Sequence, residues 1–138
     1  MIVITSDHSG MILKNEIKEY LKMEKIEFVD LGPDKFIKND DYPDFVHRAN
    51  TFVLDGNIGI YICASGIGVS MAANHTKGIR AVNAVYKEHA YWARHHEDAN
   101  VLCLGQNFVA FDSAKDIIKV FLNEKFDGGR HLRRINKY

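Results

Sequence analysis

Apolar residues along this chain follow two rhythms. Short continuous runs rich in β-branched residues occur at Met1 to Thr5 (MIVIT), Ile26 to Leu31, Ile58 to Ile62, Gly78 to Val85 (GIRAVNAV) and Val101 to Leu104. Runs of this length and composition predict buried strands. Between them the apolar positions recur every three or four residues. Ile12, Leu13, Ile17, Tyr20 and Leu21 mark a helix over 11–23. Phe45, Ala49, Phe52 and Val53 mark the inward face of one over 44–54. Glu88 to His96 is a short helix carrying Trp92, and Val109 to Glu124 is a long one with Ala114, Ile117, Ile118, Phe121 and Leu122 inward. Gly32-Pro33, Asn39-Asp40-Asp41 and Pro43 make 35–44 a loop. The tail, Phe126 to Tyr138, carries Asp127-Gly128-Gly129 and then Arg130, Arg133 and Arg134.

Strand and helix alternate five times. That order predicts parallel pairing, right-handed crossovers and helices on both faces of the sheet. The fold class is α/β: a three-layer, Rossmann-like α/β/α sandwich with a five-stranded parallel sheet. At 138 residues the chain makes one domain over 1–138. In such sheets ligands bind beyond the carboxyl ends of the strands. The segments to read for chemistry are therefore Asp7-His8, Cys63 to Gly68, Tyr86-Lys87 and Gly105 to Asn107.

The stretch Gly59 to Asn74 (GIYICASGIGVSMAAN) is the most informative. It reads as a buried strand, a break at Ser65-Gly66 and Gly68, and a helix of small residues from Val69. Strand, glycine loop and helix in that order place backbone N–H groups at a helix N-terminus, which is an anion site. Cys63 stands at its lip. A free cysteine is most often an inert core residue, but one beside a helix N-terminus has its thiolate stabilised. Asp7-His8 reads either as a helix cap beside a surface histidine or as a site pair. His95-His96 reads as a complement to a helix dipole, the arginine tail as a solvated charge run, and Cys103 as core.

The spacing excludes several chemistries. Val69 stands where a C-x5-R phosphatase needs arginine. The loop lacks the GxGxxG spacing of a dinucleotide site and the lysine of a P-loop. A response regulator would have a carboxylate in place of Cys63.

Composition narrows the partners. Lys+Arg and Asp+Glu are both 18, for zero net charge, which argues against nucleic acid. Two cysteines make neither a disulfide framework nor a zinc site, and the seven histidines show no ligand spacing. No apolar run approaches a membrane span, and strand-like sequence begins at once after Met1 with no signal peptide. A cytoplasmic protein, with no membrane partner, is expected.

Five motifs carry a resemblance over nearly the whole length: SDHSG at 6–10, DYPDF at 41–45, CASGIGVSMAAN followed by GIRA from Cys63, HEDANVL from His96 and DGGRHLRR from Asp127. In order and spacing the chain resembles the type B ribose-5-phosphate isomerases, grouped with the galactose-6-phosphate isomerase subunits. The resemblance implies an aldose–ketose isomerase acting on a sugar phosphate, ribose 5-phosphate to ribulose 5-phosphate, in the non-oxidative pentose phosphate pathway. It implies a homodimer or dimer of dimers with active sites shared between subunits, and no metal or cofactor.

By the same resemblance Cys63 is the base and the loop Ala64, Ser65, Gly66, Ile67 and Gly68 is the anion hole for the enediolate. His96 opens the furanose ring, with Asp7 assisting. Tyr42 lines the sugar pocket, and His8, Arg130 and Arg134 grip the phosphate. His96 and Asn100 come from the partner subunit. The chain departs from the family pattern at Ala64 and Ser65 (usually Gly-Thr), Glu97 (usually Asn) and Asn107 (commonly Arg). Two alternatives stand beside this reading: an isomerase of a six-carbon sugar 6-phosphate such as allose or galactose, and a non-catalytic sugar-phosphate-binding module.

Overall fold

The computed structural model describes residues 1–138. Five parallel strands, β1 (Ile2–Ser6), β2 (Phe28–Asp30), β3 (Ile58–Cys63), β4 (Ala81–Asn83) and β5 (Val101–Gly105), form one sheet in the order β2-β1-β3-β5-β4. Six α-helices accompany them: α1 (Met11–Met23), α2 (Tyr42–Leu54), α3 (Ile67–Asn74), α4 (Lys87–Glu97), α5 (Phe111–Asn123) and α6 (Arg130–Ile135). The three central strands, β1, β3 and β5, are buried almost throughout. Strand residues alternate between faces. Ile2, Ile4, Ile60, Ile62, Leu102 and Leu104 meet α1, α4 and α5 in one core. Val3, Tyr61, Cys63, Val101 and Cys103 meet α2 and α3 in the other. The α/β/α sandwich expected from the apolar pattern is the observed architecture.

Several boundaries and faces differ from the sequence pattern. β4 covers only Ala81–Asn83, because the Asn74 side-chain amide takes both the N–H and the C=O of Ala81 (2.8 and 2.9 Å). It thus satisfies the edge in place of another strand. β2 is three residues long, since the Ile26 N–H turns back to the Leu21 carbonyl of α1. α2 starts two residues early, with Pro43 in its first turn, where a missing N–H costs nothing. Its inward face is Val46, Ala49, Asn50 and Val53, with Phe45 and Phe52 only half-buried. Asn50 goes inward because Tyr61 donates its hydroxyl hydrogen to Asn50 Oδ1 (3.0 Å) and Asn50 Nδ2 donates to Thr76 (2.8 Å). Ile12 is two-thirds exposed, not part of the α1 core face. The arginine tail is a short helix, α6, anchored by buried His131.

Candidate functional site

The carboxyl edge of the sheet gathers three loops. After β3 the chain turns at Gly66, whose φ of +76° is a conformation open to glycine at little cost. A Cβ there would also lie 2.2 Å from Asn83 Oδ1. The Gly66 N–H points back to Cys63 Sγ at 3.1 Å, and the Ile67 N–H donates to Ser65 Oγ at 3.2 Å. The next amides, Gly68 and Val69, belong to the first turn of α3 and bond no carbonyl within the chain. The Tyr42 ring lies against Gly68 so closely that a Cβ there would be 2.6 Å from Tyr42 Cζ. A buried thiol, a half-buried hydroxyl, two free amides and a phenol thus surround one loop.

The loop after β1 stands beside it, because β1 and β3 are neighbours. The Asp7 N–H donates to the Ile62 carbonyl at 3.3 Å. Asp7 Oδ1 caps the following turn, accepting from the Ser9 N–H (3.0 Å), Ser9 Oγ (2.5 Å) and the Gly10 N–H (3.2 Å). The capping half of the two readings of Asp7 is therefore realised; its second oxygen makes no hydrogen bond within the chain. His8 follows, half-buried, with its Nδ1 2.5 Å from Asp40 Oδ1. The hydrogen bond to Asp40 is the largest influence on His8 and holds its imidazole above the ordinary histidine range.

Asp7, His8 and Asp40 bring three ligand-type atoms within 4.8 Å of one another. Asp7 Oδ1 is saturated by its cap donors and His8 Nδ1 by Asp40. The cluster is thus an internally bonded network, and its chemistry is that of a hydrogen-bonded dyad beside a cap.

Three further residues stand at this edge, of which the sequence marks only Gln106, as part of the segment Gly105 to Asn107. Asp40 reads as one member of a polar loop. Asn83 ends β4 and donates its amide to the Ser65 carbonyl at 3.2 Å. Gln106 follows β5: its N–H donates to the Cys63 carbonyl (2.9 Å), and its Oε1 accepts the Leu13 N–H (3.0 Å). A polar side chain at the carboxyl end of a strand, the last residue of β4 or the first after β5, was the available signal for the last two. Asn107 is exposed and bonds the Ala64 carbonyl through its N–H at 3.0 Å.

His96, Asn100, Arg130 and Arg134 lie elsewhere. α4 runs back across the sheet, so His96 at its end lies at the amino edge. Asn100 lies there too, its carbonyl accepting the N–H of Gly59 near the start of β3 (2.9 Å). The His96 ring stacks on His131 of α6, centroids 4.0 Å apart and planes 13° apart. Burial and the neighbouring His96 and arginine charges pull His131 below the ordinary histidine range. Arg130 and Arg134 are exposed on α6, and Glu97 accepts the hydroxyl hydrogen of Tyr138. A groove of about 900 Å³ runs along β4, with Asn83 towards one end and Trp92, His96 and Tyr138 among its walls. Within one chain Cys63 and His96 do not meet.

The Ribose/Galactose Isomerase family profile matches residues 2–138. The chain belongs to that family. The Ribose-5-phosphate isomerase B of Escherichia coli is 38% identical over 136 residues, covering 97% of this chain and 91% of that one. The crystal structure of ribose-5-phosphate isomerase B from Mycoplasma genitalium with bound ribulose-5-phosphate superimposes with a TM-score of 0.94. It is 47% identical, over 99% of this chain and 91% of that chain. The isomerase B of Clostridium thermocellum gives 0.95 at 42% identity, over 99% and 93%. Membership covers the carboxyl-edge loops and α6 alike. No helix here is long and apolar enough to cross a membrane.

Proposed function

We propose that this protein interconverts ribose 5-phosphate and ribulose 5-phosphate, with Cys63 as the base. Family membership and the placement of Cys63 Sγ, 3.1 Å from the Gly66 amide at the mouth of the α3 N-terminus, support this reading. Isomerisation removes the proton on C2 of the open-chain aldose and returns one to C1, while a hydrogen passes between O2 and O1. The intermediate enediolate carries charge on oxygen. The free amides of Gly68 and Val69 with Ser65 Oγ offer donors to it. Oriented donors of this kind are each worth about 3–4 kcal/mol. Tyr42 flanks the sugar, and His8 binds the phosphate. Asp7, through its second oxygen, assists at the ring oxygen or a neighbouring hydroxyl.

Ring opening by His96 requires a second subunit. β4 is a sheet edge, and the helices flanking it, α3 and α4, expose Ile67, Met71 and Trp92. A two-fold axis perpendicular to β4 sets the carboxyl edge of one subunit against the amino edge of the next. His96, Asn100, Arg130 and Arg134 of one chain then complete the Cys63 site of the other. The same exposed patch supports a homodimer, alone or as half of a dimer of dimers. The reaction needs no metal in this scheme, and it would serve the non-oxidative pentose phosphate pathway in the cytoplasm.

The test is conversion of ribose 5-phosphate in D2O by wild type and Cys63→Ala side by side. Turnover, with deuterium at C1 of ribulose 5-phosphate and at C2 of recovered aldose, is expected from wild type alone. Full turnover by the variant removes Cys63 from the mechanism. A silent wild type that converts a six-carbon sugar 6-phosphate replaces the substrate, and silence on both leaves a binding module.

A further inference from the structure

Asp40 grips His8 at two points. The His8 N–H donates to Asp40 Oδ2 at 3.0 Å, with Oδ1 at 3.3 Å, and the ring Nδ1 lies 2.5 Å from Oδ1. The Asp40 side chain is 5% exposed and that of His8 30%. The Phe36 ring meets the imidazole edge-on, 5.5 Å between centroids. The ring is thus fixed from one side, and Nε2 has no partner within the chain. It opens at the carboxyl edge, one residue from the Asp7 N–H that bonds the strand leading to Cys63.

The chemistry of this pair is specific. A carboxylate this buried is costly unless a donor or a positive charge meets it. With Nδ1–H committed to Asp40, a neutral imidazole presents a lone pair at Nε2, whereas a protonated one presents a second N–H. Only the second form attracts a phosphate. The charged groups acting on His8 are Asp40 from the β2–α2 loop and Asp7 beside it, and both favour the cation. The other charges of that loop, Asp34, Lys35, Lys38 and Asp41, are exposed.

We propose that Asp40 is the positioning residue for substrate phosphate: by holding His8 at its amide and at Nδ1, it aims the Nε2–H of an imidazolium at the phosphate group. This rests on the reading of His8 as a phosphate ligand and adds what makes that ligand charged. Affinity for the sugar phosphate is then set by the pair and fades as pH rises through the elevated titration of His8.

The experiment compares wild type with Asp40→Asn, which keeps the shape and an acceptor for Nδ1–H but loses the charge. The His8 ring resonance, assigned by its disappearance in His8→Gln, is titrated by NMR. It is expected to titrate above 6.5 in wild type and to fall towards that value in Asp40→Asn. KM for ribose 5-phosphate is expected to rise about 3- to 10-fold in the variant at pH 7.5, with kcat within about twofold, and to converge with wild type near pH 6. The second ionisation of the substrate phosphate near 6 acts equally on both proteins.

Titration of wild-type His8 at or below 6.5 overturns the proposal, and so does a KM change of the same factor at every pH. The wild-type titration alone decides should Asp40→Asn not fold. If wild type does not turn over ribose 5-phosphate, the proposed function falls separately. Inorganic phosphate is then the probe: it should perturb His8 in wild type more than in the variant at pH 7.5, and equal perturbation overturns the role of Asp40.

Discussion

Cys63 closes β3 at the carboxyl edge of the sheet, and His96 lies in the last turn of α4 at the amino edge, with the length of β5 between them. The separation divides the residues that the resemblance assigns to the site into two groups. Asp7, His8, Tyr42 and 63–68 stand at one edge; His96, Asn100, Arg130 and Arg134 stand at the other.

Mixing two inactive variants should restore activity. Cys63→Ala and His96→Ala, co-refolded in equal amounts, should recover about a quarter of wild-type activity, since half the dimers are mixed and each mixed dimer has one intact site. Either variant alone should be inactive. No recovery after demonstrated subunit exchange would mean that each chain carries its own complete site.

Arg134 should act on binding. It is exposed on α6 and makes no ion pair within the chain, so its charge is available to a phosphate. Phosphate contacts persist in both ground and transition states. Arg134→Ala should therefore raise KM with a smaller change in kcat. Steady-state kinetics check this, and an unchanged KM places α6 outside the site.

Gly68→Ala should disturb the pocket more than the fold. The added methyl meets the Tyr42 ring at 2.6 Å, the outer end of a half-buried side chain that can swing away, and alanine suits the first turn of a helix. Thermal unfolding should change little, while KM rises about tenfold, roughly 1.4 kcal/mol of lost binding. A normal KM would show that Tyr42 does not touch the sugar.

Tyr61→Phe should cost stability without touching catalysis. The Tyr61 hydroxyl is fully buried and donates to Asn50 Oδ1; burial raises its titration well beyond the ordinary tyrosine range. Removing it leaves a buried acceptor unpaired, for a loss of about 1–3 kcal/mol. Urea unfolding of the variant measures it.

Acid should weaken the loop that carries Asp40 and leads into α2 at Tyr42. Asp30 anchors that loop: its carboxylate pairs with Lys14 (2.9 Å) and Lys18 (2.5 Å) and accepts the Gly32 N–H (2.9 Å), while Lys14 also donates to the Pro33 carbonyl (2.8 Å). Burial pushes Asp30 up, but the two lysines and the amide outweigh it and hold it below the usual carboxylate range. A carboxyl lower in the folded than the unfolded state adds stability above the unfolded value of 3.8, and that stability is lost as pH falls through the folded value. Asp30→Asn should therefore flatten the acid limb of stability against pH. Equal slopes for the two proteins would remove Asp30 from the acid response.

The pattern of the sequence was most legible where one force dominates. The three buried strands read correctly because continuous apolar runs leave few other solutions. Asn50 was hidden, since a polar side chain faces inward only when tertiary partners satisfy it, and Tyr61 and Thr76 come from other elements. α6 was hidden for a related reason. Its charged residues carry no amphipathic signal, and its anchor is the stacking of His131 on His96, 35 positions earlier in the chain.

By itself the sequence determined the α/β sandwich, the strand–loop–helix cradle with Cys63 at its lip and, through five spaced motifs, the family. These are local matters: hydrophobic period, turn chemistry and the order of residues along one segment. The tertiary structure alone decided that Asp40 lies on His8, that Tyr42 lies on Gly68, and that His96 and the arginines sit at the far edge from Cys63. Those relationships depend on strand order and on the direction in which each helix returns, because residues distant in sequence become neighbours only when the sheet is assembled.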